Sequence, residues 1–213
     1  MTPAQFIRAN AVVGHPPACP EVKLWLATEV TPLWEATEAV LEQNNLPPPY
    51  WAFCWAGGQA LTRWALDNPE VVAGKRVLDF AAGSGVTAVA AAMKGAARVE
   101  AAEIDPFAVA AIGLNAELNG VHIDGVEGDI VGQPNRWDVV FAGDVCYERP
   151  MTDHIWPWLK KLAADGALVV MADPGRAYLP KHGLLRLAAY TVPTSLELED
   201  RTEREVGIYR IVG

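Results

Sequence analysis

Cysteine is scarce in this 213-residue sequence: Cys19, Cys54 and Cys146 stand far apart, with no CxxC pair. An odd, scattered set argues against a disulfide framework, and with four dispersed histidines it leaves no spacing suited to a metal site. Basic residues are also in the minority, 17 Lys and Arg against 26 Asp and Glu, for a formal net charge of -9. Such a surface repels phosphate backbones, so nucleic acid is not an expected partner. It would attract a lysine-bearing partner, or it serves solubility alone. Long apolar runs are missing, and Val86 to Met93 is far too short to span a bilayer. The start, Met1-Thr2-Pro3-Ala4-Gln5, has no basic head leading into an apolar core, so no secretory leader is expected and the cytoplasm is the default compartment.

What is present falls into two textures. Residues up to about Asn68 are rich in Pro and Trp and lack regular alternation. Thr31-Pro32 predicts an N-cap and first helical position for a helix running toward Asn44-Asn45, after which Pro47-Pro48-Pro49 forces an extended segment. A further helix is predicted over Gln59–Leu66. From Gly74 onward short apolar runs alternate with helical stretches, as βαβ units do. Strands are predicted at Arg76–Phe80, Arg98–Glu103, His122–Glu127, Trp137–Ala142 and Ala167–Ala172. Helices are predicted at Val86–Lys94, Pro106–Asn119 and Met151–Leu162. Beyond Pro180 a short helix should lead into a strand at Ser195–Glu199, closed by another at Glu205–Val212. The link between those two is too short for a parallel crossover, so they must pair antiparallel. The expected fold is α/β: five parallel strands plus a terminal hairpin, with helices on both faces.

The first chemistry lies in Val77-Leu78-Asp79-Phe80-Ala81-Ala82-Gly83-Ser84-Gly85, a glycine-rich turn between a buried strand and a helix. Such a turn lets backbone pass close to a ligand. Glu103, ending the next strand, is placed to accept hydrogen bonds from both ribose hydroxyls of an adenosine cofactor. The glycines alone also fit a dinucleotide fingerprint, Gly83-x-Gly85-x-x-Ala88. Three features favour S-adenosylmethionine. Asp79 can hold a cationic amino group, the terminal hairpin is foreign to the usual dinucleotide fold, and no Tyr-x-x-x-Lys is present. Asp129, after the third strand, could meet the adenine amino group or simply cap a turn.

After the fourth strand comes Gly143-Asp144-Val145-Cys146-Tyr147-Glu148, in a loop that should face the ligand crevice. Methyl transfer to an amine needs positioning and a free nitrogen lone pair, whereas free lysine, with a pKa of about 10.4, is protonated at neutral pH. Asp144 can orient the amine and Tyr147 can offer a ring face to an ammonium. Tyr50, Trp51, Phe53 and Trp55 either form an aromatic wall beside the methyl donor or close the core. Arg176, in Asp173-Pro174-Gly175-Arg176, is read as meeting an acid on a partner or as ending a tight turn.

At these residues the sequence resembles the seven-stranded protein lysine methyltransferases that act on the β subunit of electron transfer flavoprotein. The resemblance runs from about Phe6 onward and is sharpest in Pro49-Tyr50-Trp51-Ala52, Trp55-Ala56-Gly57-Gly58-Gln59-Ala60-Leu61 and Leu66-Asp67-Asn68-Pro69. It is also clear in Glu103-Ile104-Asp105-Pro106 and Asp173-Pro174-Gly175-Arg176. Asp144-x-x-Tyr147 matches the family's Asp-x-x-(Tyr/Phe) signature. Ala81 and Ala56 depart from its usual glycine and proline. The resemblance implies a Rossmann-like class I methyltransferase domain over residues 69–213, preceded by an N-terminal helical extension and aromatic segment over 1–68. It implies S-adenosylmethionine as donor and a flavoprotein subunit as protein partner; no metal and a monomeric state are expected alongside. The implied catalytic pair is Asp144 and Tyr147. The cofactor set is Trp55, Gly57, Asp79, Ala81, Gly83, Gly85, Glu103, Ile104, Asp129 and Gly143, with Tyr50, Trp51, Glu148 and Arg176 facing substrate. Methyltransferases of ribosomal protein L11 share the fold, but the long N-terminal domain of that group is not expected here. An L11-type or small-amine methyltransferase, a dinucleotide-dependent reductase and a silent binding module are the alternatives.

Overall fold

The computed structural model describes residues 1–28, 31, 33 and 48–212. The helix expected from Thr31-Pro32 toward Asn45 lies almost wholly outside the described residues. The chain opens with α1 (Pro3–Asn10), where Thr2 and Gln5 form a capping box. A small hairpin follows, β1 (Val12–Gly14) with β2 (Leu24–Leu26). A 3-10 turn at Tyr50–Ala52 leads to α2 (Ala56–Asp67). Then come β3 (Arg76–Phe80), α3 (Val86–Met93), β4 (Arg98–Glu103), α4 (Pro106–Asn119), β5 (Asp124–Glu127), β6 (Val139–Gly143), α5 (Arg149–Ala164) and β7 (Leu168–Asp173). The chain ends with β8 (Leu184–Pro193), the four-residue α6 (Leu196–Glu199) and β9 (Glu203–Ile211).

The main sheet has the order β5-β4-β3-β6-β7-β9-β8. Its first five strands are mutually parallel, β9 runs antiparallel to β7, and β8 antiparallel to β9. The chain moves outward one way through β3, β4 and β5, then restarts beside β3 with β6 and moves the other way. That reversal opens a crevice at the carboxyl ends of β3 and β6, where a ligand is expected.

Strand alternation divides the core into two layers. Val77, Phe141 and Val170 face one side, against Leu61 of α2 and Val89 of α3. Leu78, Phe80, Val140 and Met171 face the other, against Ile155, Leu159 and Leu162 of α5. A third cluster joins Ile7 of α1 and the buried Trp51 to Ala108, Ala111 and Leu114 of α4. α4 begins as its sequence dictates: Asp105 caps the Phe107 N–H, Pro106 takes the first turn, and Gly120 ends it in left-handed geometry. Among the described residues no helix is long and apolar enough to cross a membrane.

The terminal hairpin is antiparallel as expected, but its first strand lies elsewhere. Leu184–Pro193, where a short helix was predicted, is β8, and Ser195–Glu199, predicted as a strand, holds α6 capped by Ser195. The Leu-Glu-Leu-Glu alternation imitated a strand. β8 is an edge strand with most of its residues partly or fully exposed, and its leucines and alanines show no apolar-polar alternation; pairing with β9 defines it.

Candidate active site

The β3–α3 loop turns sharply, with Ala81 at φ 51°, Gly83 at φ 53° and Gly85 at φ 73°. A side chain at Gly85 would be strained by that φ and would also press to 2.9 Å from Ile112. Gly83 N–H points instead at Glu103, donating to its Oε1 at 2.8 Å, while Ile104 N–H donates to Oε2 at 3.0 Å. Burial raises the Glu103 carboxyl above its ordinary value, and the two N–H groups oppose the rise. The strand-end acid and the glycine loop are therefore one unit, and the carboxylate keeps acceptor capacity for a ligand.

A cavity of about 860 Å³ opens over this unit. All the candidate residues line it except Phe53, Gly57, Asp79 and Gly85. Asp79 stands behind the loop, 3% exposed, accepting the Ala88 N–H at 2.9 Å. Burial pushes its carboxyl up to about 8, Ala88 N–H pulls it down, and Glu103 adds a smaller upward push. Strand parity accounts for the placement, since Asp79 shares the face of Val77, under α3. Asp129 lines the cavity but is engaged, accepting the Val131 N–H at 2.9 Å and meeting His154 Nε2 at 2.8 Å. Those two contacts, the backbone one first, hold its carboxyl below the usual range.

The other end of the cavity is built around Asp144. Its backbone takes left-handed geometry at φ 55°, and its N–H donates to Ala172 O at 3.0 Å. A non-glycine residue held there must be fixed by its surroundings. The carboxylate accepts the Gly58 N–H at 3.1 Å and Arg176 Nη2 at 3.0 Å. Burial pushes it up to about 6, with Arg176 acting against the rise and Glu199 slightly with it. Gly57 sits directly against it: a Cβ there would come within 2.5 Å of Asp144 Oδ2. Gly143 is comparably close to α2, a Cβ meeting Gly58 N at 3.2 Å. Gly57, expected at the cofactor, thus makes room for Asp144 instead.

An arc of aromatic rings borders the same end. Tyr147 and Tyr50 have centroids 6.1 Å apart, Tyr50 and Trp55 5.9 Å, and Trp55 and Phe53 6.2 Å. Trp55 Nε1 donates to Tyr50 O at 2.9 Å, tying the arc together. Burial pushes the Tyr147 phenol up to about 12, so it stays neutral. Trp51 touches the cavity, but at 1% exposure it is chiefly a core residue. Glu148 lies on the cavity wall at the start of α5. Arg176, read as facing an acid on a partner, lines the cavity with its guanidinium engaged inside the molecule by Asp144 and Glu199.

Sequence reasoning missed part of the wall and a buried acid behind it. The first turns of α5 contribute Met151, His154 and Ile155. The signal was available, because a helix starting five residues after Asp144 must begin at the same strand end. Glu199 was missed because its stretch reads as a strand.

Residues 59–171 match the family model for ribosomal protein L11 methyltransferase. The chain is 37% identical over 205 residues to the electron transfer flavoprotein beta subunit lysine methyltransferase of Xenopus laevis, covering 93% of this chain and 82% of that protein. The Homo sapiens protein of the same name is 39% identical over 210 residues, covering 95% and 78%. Among solved structures, the magnesium protoporphyrin IX methyltransferase of Synechocystis PCC 6803 with bound SAM superposes with a TM-score of 0.52 at 19% identity, over 70% of this chain and 76% of that one. That likeness speaks for the fold, while the relatives at 37 to 39% identity carry the lineage. Joined to the cavity and the Asp144 end, they show that the chain belongs to the electron transfer flavoprotein beta subunit lysine methyltransferase family, within the S-adenosylmethionine-dependent methyltransferases.

Proposed function

We propose that this enzyme methylates a lysine side chain on the beta subunit of an electron transfer flavoprotein. The observation that carries the chemistry is the buried Asp144 carboxylate, fixed at one end of a cavity whose other wall is Glu103 and the glycine loop. The cavity fits the donor: about 860 Å³ lies within the range of cofactor sites, and Glu103 offers an anchored acceptor beside a close-passing backbone. Glu103 would hold the ribose, Ile104, Asp129 and Gly83 would border the adenosine, and Gly143, Ala81 and Trp55 would border the methionyl portion. Asp79 would act from behind the loop, by fixing the first turn of α3. When bound, S-adenosylmethionine supplies an activated methyl on a sulfonium.

The residues at the acceptor end receive and aim the nitrogen. With its carboxyl near 6, Asp144 is ionised at neutral pH and can accept a hydrogen bond from the entering amine. Its fixed position converts an encounter into an aligned approach. The rings of Tyr147 and Tyr50 offer π faces to a cation, which suits a methylated ammonium better than a naked one because such a group sheds water readily. Glu148 at the rim adds an attractive charge for a lysine-bearing surface.

Incubation of the enzyme with methyl-labelled donor and, separately, the flavoprotein beta subunit, ribosomal protein L11 and free amines tests the reading. Label on lysine of the beta subunit, located by mass spectrometry, is the expected result. Label confined to L11 or to small amines would reject this acceptor.

A further inference from the structure

Asp144 is one end of a chain of charges that reaches into the terminal hairpin. Arg176 Nη2 donates to Asp144 Oδ1 at 3.0 Å and to Glu199 Oε1 at 2.7 Å, and Nη1 donates to Glu199 Oε2 at 3.1 Å. Glu199 therefore holds the guanidinium as a fork, and Asp144 shares only one of its nitrogens. Glu199 is itself secured: Arg204 Nη2 donates to its backbone carbonyl at 3.1 Å, Arg204 Nε lies 3.4 Å from Oε2, and the side chain is 1% exposed. The turn that delivers Arg176 is closed by Asp173, whose Oδ1 accepts the N–H groups of Gly175 and Arg176 at 2.6 Å each.

We infer that Glu199, on α6 between the two antiparallel strands, is a positioning residue for Asp144, acting through Arg176. A guanidinium beside two carboxylates closes on whichever can take both its nitrogens. Here Glu199 takes that place. Asp144 is left with single bonds from Arg176 and Gly58, and with acceptor capacity toward the cavity where Tyr147 stands. Without the Glu199 charge, Arg176 closes on Asp144, occupies that capacity and sets an unbalanced cation where a cationic side chain must arrive. The donor end, held by Glu103 and the glycine loop, shares none of these contacts.

This inference rests on Asp144 receiving the lysine, so wild-type enzyme and acceptor are measured alongside the variants. Glu199→Gln, Glu199→Asp and Arg176→Lys are assayed for kcat and for KM toward the acceptor protein, with adenosylhomocysteine affinity by calorimetry. Glu199→Gln is expected to raise the acceptor KM and lower kcat/KM by up to about a hundredfold, the cost of misplacing a reacting group by an ångström. Adenosylhomocysteine affinity should be unchanged. Glu199→Asp should recover part of the acceptor KM. Arg176→Lys, which cannot fork onto one carboxylate and reach the other, should raise the KM too, and keeps the test alive if Glu199→Gln does not fold. A wild-type KM in Glu199→Gln or in Arg176→Lys, or parallel loss of adenosylhomocysteine affinity, would overturn the inference. A wild-type enzyme that labels no lysine would instead overturn the assignment of the acceptor.

Discussion

Replacing Gly57 by alanine tests the acceptor end by steric means alone. In an ordinary helix the change stabilises by about 1 kcal/mol, since alanine loses less backbone freedom. At position 57 the new Cβ would stand 2.5 Å from Asp144 Oδ2, 2.7 Å from its Cγ and 2.9 Å from Ala172 O. Ordinary contact begins near 3.4 Å, so the carboxylate must retreat by 3.4 − 2.5 = 0.9 Å. Ala172 cannot yield in its place, because its carbonyl accepts the Asp144 N–H and its strand is paired on both sides. Overpacking of this kind costs roughly 1–3 kcal/mol, so after the helical gain the fold loses about 0–2 kcal/mol. Activity should suffer more, because a displacement near 1 Å at a reacting group can cost about a hundredfold, some 2.7 kcal/mol of barrier. Initial rates on the acceptor protein, thermal melts and adenosylhomocysteine calorimetry measure the three quantities separately. Gly113→Ala in α4 is the control, for a Cβ there meets nothing within 4 Å and should only stabilise. A Gly57→Ala enzyme with wild-type kcat/KM would refute the claim that the place of Asp144 governs turnover.

Other perturbations probe the remaining parts. Glu103→Ala should weaken adenosylhomocysteine binding by roughly tenfold to a hundredfold, the worth of hydrogen bonds to a charged acceptor, as read by calorimetry. Asp144 titrates near 6, and the acceptor amine loses its proton far above that. The slope of log kcat/KM against pH should therefore steepen below about 6 as a second ionisation is lost, and Asp144→Asn should remove that break. The folded Asp79 carboxyl sits near 8 against an ordinary 3.8, so between those values the folded state keeps a proton that the unfolded chain releases. That contribution is full below about 4 and lost as pH rises through 8, with a steepest fall of about 1.4 kcal/mol per pH unit. Asp79→Asn keeps an acceptor for the Ala88 N–H and should flatten the dependence in urea melts taken across that range.

The central parallel strands β3, β4, β6 and β7 could be read from the sequence because they are buried on both faces, unlike the partly exposed edge strand β5. Runs such as Val77-Leu78 and Val139-Val140-Phe141 have no other home, and Asp105-Pro106 announces the helix that follows. The edge strand β8 gave no such signal, and its leucines and alanines read as helix until pairing with β9 is known. At the site, Glu103 and Asp144 were expected at the crevice from their places at strand ends, and both line the cavity. Asp79 was expected from its motif to hold a cationic amino group; it stands behind the loop, off the cavity wall, as alternation along β3 with Val77 already implies. The Gly58–Asp144 contact joins residues 86 apart and the Arg176–Glu199 pair joins elements whose order in the sheet no local pattern reveals. Contacts of that kind belong to topology.

That topology bears on how a carboxylate can serve a reaction that needs an uncharged amine. An isolated Asp144 would hold the lysine as an ammonium and oppose the loss of its proton. In this fold the acceptor end carries two carboxylates, Asp144 and Glu199, and two guanidiniums, Arg176 and Arg204, in direct contact. Their formal charges cancel. If the amine enters here as proposed, it meets an oriented acceptor whose charge Arg176 offsets, so alignment and deprotonation compete less than they would beside a lone carboxylate. The parallel strands supply Asp144, but the balance is completed by residues of the antiparallel hairpin and its connections. On the proposed reading the two extra strands do more than close the edge of the sheet: with α6 between them they hold the guanidinium that offsets the Asp144 charge.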